Sequence, residues 1–155
     1  MQKKRDVIKN ENILFNLKVE NYNETIEELT KILYKNKDVK NKEEFIKAVL
    51  ERENEISTNI GDGIAIPHGK SDNVNNSTVA LAVLKEPINW KLESEEKVKY
   101  VFMLAIKEED KGNEHLRILA ELSSHLMDDN FIKEFKSAKN ETEIFKIINK
   151  LGLYL

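Results

Sequence analysis

The 155-residue chain contains no cysteine, which excludes disulfides, thiolate metal sites and cysteine nucleophiles together. That absence suits a reducing, intracellular compartment. No segment approaches the roughly 20 apolar residues of a membrane-spanning helix. The amino-terminal MQKKRDVIKNENILF has basic residues but lacks the apolar run of a secretory signal. A cytoplasmic protein without direct membrane insertion is expected. An excess of basic charge is also missing: 25 Lys and Arg stand against 28 Asp and Glu, a net charge of -3. The two signs are interleaved along almost every predicted helix, which argues against nucleic acid as a partner. What the chain does have is 34% charged and 40% hydrophobic residues, the mix of a globular domain with a solvated shell. Its length suits one domain over residues 1–155.

Hydrophobic periodicity divides the chain into helix, strand and helix blocks. Ile26, Leu29 and Leu33 recur at helical spacing after Asn23, which is placed as the N-cap. A second helix opens at Asn41, where Asn41 and Glu44 have capping-box spacing, and runs to about Glu53 with Phe45, Ile46 and Val49 as its apolar stripe. The middle reads as buried strand: Ile64–Ile66, Val79–Leu84 and Val98–Ile106 are continuous apolar runs rich in β-branched residues. Between the last two, EPINWKL carries Pro87 and the single tryptophan and reads as a turn plus a short edge strand. After Gly112 the helical pattern returns, with Leu116, Leu119, Leu122 and Leu126 on one face and Asn113 as cap. Two further helices are expected over Asp128–Phe135 and Asn140–Leu151, the latter opened by the pair Asn140 and Glu143. The fold class is therefore α/β, a single-domain mixed β-sheet flanked by helices on both faces.

The glycine-rich stretch IGDGIAIPHGK, Ile60–Lys70, invites three readings that fail. A phosphate-binding loop needs four residues between its first glycine and its Gly-Lys pair, whereas Gly63 and Gly69 enclose five, and the following DNVNNS is a poor helix former. A dinucleotide fingerprint lacks its third glycine, with Ile66 in that place. His68, His115 and His125 show no zinc-binding spacing and have no cysteine to help them. Neither a metal nor a cofactor is expected.

The histidine inside the stretch carries more information. Proline presses its predecessor into extended geometry, so Ile66 should end a strand and Pro67 should turn the chain outward, holding His68 at the corner. Gly69 would let the chain bend away, and Gly61 and Gly63 would keep side-chain bulk off neighbouring backbone. His115 falls in the first turn of the third helix, where the positive end of the helix disfavours an imidazolium. A neutral ring there donates one hydrogen bond and accepts another. His125 lies ten residues further, about 15 Å along the axis and turned by roughly 80°, so it belongs outside any pocket shared by the other two.

These residues resemble the enzyme IIA component, fructose/mannitol class (type 2), of the bacterial phosphoenolpyruvate-dependent sugar phosphotransferase system. The resemblance rests on GDGIAIPHG, Gly61–Gly69, on ERENEISTNI before it and on GNEHLRILAELSSHLMDD, Gly112–Asp129, after the strands. It implies that His68 takes a phosphoryl group from the phosphocarrier HPr and passes it to a cognate IIB protein or domain. It further implies that His115 is the second active-site histidine and that the Arg52 guanidinium lies near the phosphate. On position alone Arg52 reads equally well as a helix-end arginine paired with Glu51 or Glu55. The phosphotransferase chemistry so implied needs no metal; it asks for in-line placement and charge stabilisation. A sugar-system phosphocarrier of the fructose-like branch is the first reading. The other is a free-standing regulatory phosphoacceptor of the nitrogen-related branch.

Overall fold

The computed structural model describes residues 6–91, 96–109 and 113–153. Leu92, in the stretch expected to form a turn and edge strand, and Gly112, just before the expected third helix, lie outside them. The order is a short 3-10 turn (Asn10–Asn12), β1 (Ile13–Leu17), α1 (Tyr22–Lys35), α2 (Lys42–Glu55), β2 (Asn59–Gly61), β3 (Ile64–Ala65), β4 (His68–Ser71), β5 (Thr78–Asn89), β6 (Lys97–Lys107), α3 (Glu114–Leu126), α4 (Asp129–Ser137) and α5 (Glu141–Asn149). The sheet is mixed. It runs β1-β5-β6-β3-β2, with β4 on the same edge of β6 as β3. β5 and β6 are antiparallel, whereas β1 on β5 and both β3 and β4 on β6 are parallel.

Side-chain size decides which helices cover which face. Along β5, Val79, Leu81 and Val83 point into a core shared with α3, α4 and α5; Phe102, Leu104 and Ile106 of β6 join them. The alternate residues Ala80, Ala82, Met103 and Ala105 face α1 and α2 through Ile26, Leu29, Phe45 and Val49. Alanines on that face let α1 and α2 lie close, and the bulkier face fills the larger gap on the other side. Phe135 of α4 anchors there, with ring centroids 5.0 Å from Tyr100 and 5.6 Å from Phe102. Both faces of the sheet are thus covered, as the apolar runs require.

Several elements differ from the sequence expectation. Asn21, not Asn23, caps α1, its side chain accepting the Glu24 N–H at 2.9 Å. Glu24 in turn accepts the Glu20 N–H at 2.8 Å. The caps at Asn41 and Asn140 are as expected, each accepting an N–H from the glutamate three residues on. Such caps contribute about 1 kcal/mol each. Asn113 occupies the cap position of α3 in left-handed geometry (φ 56°) and makes no side-chain cap bond. Leu116 is 54% exposed, and Ile118 takes its place on the buried face with Leu122 and Leu126. Pro87 lies within β5, beyond Leu84, where pairing with β1 ends and the register to β6 shifts. Trp90 is fully buried rather than part of an edge strand.

The amino-terminal segment, too polar to read as strand, is built into the fold. Val7 accepts the Val79 N–H at 3.0 Å and donates to Leu153 at 3.1 Å, and β1 pairs with β5. Beside it Asp38, 1% exposed, takes both Lys9 Nζ contacts at 3.1 Å and the Asn12 amide at 3.3 Å. This network ties the start of the chain to the α1–α2 connection. Among the described residues, no helix is long and apolar enough to cross a membrane.

Candidate active site

The strand that carries His68 is interrupted without being diverted. Ile64 and Ala65 pair with Tyr100 and Val101; His68 and Gly69 then pair with Leu104 and Ala105 at the same offset. Pro67 has no N–H to give the ladder, so pairing lapses there, but its carbonyl still accepts the Leu104 N–H at 2.9 Å. Pro67 is buried and the chain continues along β6. The expected outward turn is therefore not made, because parallel pairing resumes at once.

The glycines do different work from that expected. Gly61 (φ 92°) and Gly63 (φ 78°) flank Asp62 (φ 55°) in a left-handed turn joining β2 to β3. A side chain at 61 would meet nothing within 4 Å, so handedness and not room demands glycine there. At Gly69 the reverse holds. A Cβ would sit 2.7 Å from Val49 Cγ2 and 3.2 Å from Val49 N, so glycine lets α2 lie against β4 and does not bend the chain away.

His68 is half-buried at the start of β4, on the same side of the strand as Ile64 and Ile66. Its Nδ1 lies 3.1 Å from the Ile66 carbonyl oxygen. A carbonyl only accepts, so Nδ1 must carry the proton and donate it; in the neutral ring Nε2 is left with the lone pair. Burial pushes the imidazole pKa down. The Ile66 bond works against that shift, the Arg52 guanidinium adds to it, Glu53 opposes it, and His115 lowers it further. The neutral, nucleophilic form is favoured.

Arg52 and His115 thus both lie within electrostatic reach of the His68 ring. His115 is the second residue of α3 and lines a small apolar crevice with Leu104, the residue opposite His68 in the β4–β6 ladder. Arg52 is half-buried in the last turn of α2 and donates through Nη1 to the Ile56 carbonyl at 3.1 Å. His125 stands apart, its ring 6.2 Å from that of Phe131 at the far end of α3. Among the described residues, no group of three His, Asp or Glu side chains is placed to hold a metal ion.

Residues 6–151 match the family described as phosphoenolpyruvate-dependent sugar phosphotransferase system, EIIA 2. The chain belongs to that family of phosphotransferases. The EIIA chain is similar to the fructose-specific EIIABC component of Bacillus subtilis, 33% identical over 89% of this chain and 22% of that one. It is also similar to the fructose-specific EIIA component of Haloferax volcanii, 33% identical over 71% of each. In the solved complex of enzyme IIA mannitol with phosphorylated IIB mannitol from Escherichia coli, the matching chain has 24% identity and a TM-score of 0.77. That match covers 92% of this chain and 99% of the other. The EIIA chain spans about a fifth of the length of the first curated relatives it matches.

One more residue stands beside the candidate site. Glu53, next to Arg52, is fully buried. It accepts the Trp90 indole N–H at 2.6 Å, the Thr58 N–H at 3.0 Å and the Thr58 hydroxyl at 2.7 Å, and its own carbonyl accepts from Lys91. Position 53 continues the i+4 stripe of Phe45 and Val49 onto the buried face, but within the charged run ERENE a glutamate reads as solvated unless a buried partner for it is seen. The single tryptophan, needing a partner for its N–H once buried, was the available signal.

Proposed function

We propose that this chain is a cytoplasmic phosphocarrier that takes a phosphoryl group from phosphorylated HPr on His68 and hands it to a cognate IIB component, serving uptake of a fructose-like sugar. The observation that carries this reading is the bond from His68 Nδ1 to the Ile66 carbonyl, which leaves Nε2 as the nucleophile. Family membership and the fructose-specific relatives support the sugar-system role. The mannitol IIA–IIB complex supports a IIB partner.

The transfer balances without a base. Nε2 of neutral His68 forms its bond to phosphorus as the P–N bond of the donor phosphohistidine breaks, and the donor ring keeps the released electron pair. His68 retains its Nδ1 proton throughout, held by Ile66. The chain's contribution is placement and charge. The Ile56 carbonyl occupies one of the five Arg52 N–H donors, so the guanidinium has further donors for phosphate oxygens. His115 and the positive start of α3 complete the stabilisation of the dianion.

The test is phosphoryl incorporation from purified phospho-HPr, followed by intact-mass spectrometry and then by transfer to IIB. His68→Ala should incorporate nothing, His115→Ala should accept phosphate and pass it on poorly, and His125→Ala should behave as wild type. Equal incorporation in wild type and His68→Ala would overturn the assignment. Phosphate that reaches His68 but never a IIB acceptor would point instead to the regulatory phosphoacceptor.

A further inference from the structure

The transfer steps above assign no role to Glu53, yet a carboxyl group is buried only where its oxygens are well satisfied. Both oxygens are, and the bonds lead to the active-site ring. Thr58 gives its hydroxyl to Glu53 Oε2 at 2.7 Å and its N–H to Oε1 at 3.0 Å. The Thr58 carbonyl accepts the Ile66 N–H at 3.0 Å. The Ile66 carbonyl accepts from His68 Nδ1 at 3.1 Å. Trp90 holds the far end of the chain of bonds, its indole N–H 2.6 Å from Glu53 Oε1.

The Ile66 carbonyl belongs to the peptide that joins Ile66 to Pro67, where pairing between this strand and β6 lapses. The Ile66 N–H, in the preceding peptide, bonds to Thr58 and not to the β6 ladder, so Thr58 fixes the residue from which that carbonyl projects. We propose that Glu53 is a positioning residue for His68, acting through Thr58 and Ile66 to hold the imidazole as the Nδ1–H tautomer with Nε2 presented to phosphorus. The role rests on the assignment of His68 as acceptor. It does not require Glu53 to touch the phosphoryl group. An acid at this position can take both Thr58 donors and the indole at once, which an amide, with a single accepting oxygen, cannot.

The experiment compares wild type, Glu53→Gln, Thr58→Val and Thr58→Ser by long-range 15N–1H NMR of the His68 ring, at pH values where it is neutral, and by the rate of phosphoryl uptake from phospho-HPr. Wild type should show Nδ1–H as the dominant form. Glu53→Gln and Thr58→Val should show mixed tautomers and slower uptake by about tenfold, equivalent to about 1.4 kcal/mol of lost transition-state positioning. Thr58→Ser keeps the hydroxyl and should restore both. A folded Glu53→Gln protein with the wild-type tautomer and rate would overturn the proposal, as would lost stability with an unchanged tautomer. If wild-type His68 takes no phosphate, the functional reading fails while the tautomer comparison still decides the role of Glu53.

Discussion

Gly69→Ala tests how the site is assembled more sharply than removal of any functional side chain, because it adds one methyl group at the contact between α2 and β4. That methyl would meet Val49 Cγ2 at 2.7 Å, Val49 N at 3.2 Å and Phe45 Cε2 at 3.4 Å. Val49 is β-branched and held to essentially one χ1 rotamer in a helix, so its Cγ2 cannot swing aside. The backbone nitrogen behind it moves only with the helix. Overpacking of this kind costs about 1–3 kcal/mol. For a chain of this size each kcal/mol lowers the melting temperature by about 2–4 °C, so a drop of roughly 4–8 °C is expected for about 2 kcal/mol. Val49→Ala in the Gly69→Ala background removes the closest atom but leaves the backbone contact, so it should restore part of the loss. The four proteins of that cycle, measured by urea and thermal unfolding, should show a favourable coupling of about 1 kcal/mol. Phosphoryl uptake should fall with stability in Gly69→Ala, because α2 carries Arg52 in its last turn. A Gly69→Ala protein that melts with wild type, or a cycle additive within about 0.5 kcal/mol, would refute this account of the contact.

Two further outcomes follow from named groups. His68 should titrate below the ordinary histidine value of about 6.5, since burial leads the causes that lower it, and phosphoryl uptake should persist at pH values where a free imidazole is largely protonated. Between the folded midpoint and about pH 6.5 the unfolded chain binds more protons, so this group's contribution to stability is complete above that range and declines as pH falls through it. An NMR midpoint at or above 6.5 would contradict the assignment. Asp38→Ala should cost about 1–3 kcal/mol in urea unfolding, because it removes the acceptor of the buried Asn12 amide and the nearer of the two carboxylates beside Lys9, which keeps Glu11 at 3.7 Å; unchanged midpoints would show that the network does not hold the amino-terminal segment.

The parts of the fold that sequence reveals are those governed by local periodicity. The runs over Val79–Leu84 and Val98–Ile106 announce strands buried on both faces, and Asn41 and Asn140 announce helix starts, since each signal lies within a few residues. β1 is hidden because ILFNL sits in polar surroundings and earns its place only by parallel pairing with β5, far along the chain. Trp90 is hidden for the same reason: its partners are Tyr22, with a ring centroid 5.7 Å away, and Glu53. At the site, the three residues named from sequence are close enough to affect one electrostatic environment. The backbone around them does not follow the local signals of the sequence. Pro67 suggests a turn, yet the carbonyl of a proline accepts as well as any other, and that suffices to keep parallel pairing in register across the break.

Adjacent residues at the end of α2 show how little chain the site requires. Successive helical positions are rotated by about 100°, so Arg52 and Glu53 enter different surroundings from one backbone turn. Arg52 stays half-buried, bonded to the Ile56 carbonyl that ends the helix. Glu53 turns inward to Trp90 and Thr58. Their charges act on His68 with opposite sign, the guanidinium favouring the neutral ring and the carboxylate the protonated one. A dianionic phosphoryl group on Nε2 would reverse the preference: attraction to Arg52 stabilises it, whereas repulsion from a buried carboxylate raises its tendency to leave. A carrier must hold phosphate between encounters and still surrender it at the next one. On the proposed assignment of His68 as acceptor, consecutive residues of α2 supply one charge suited to each requirement.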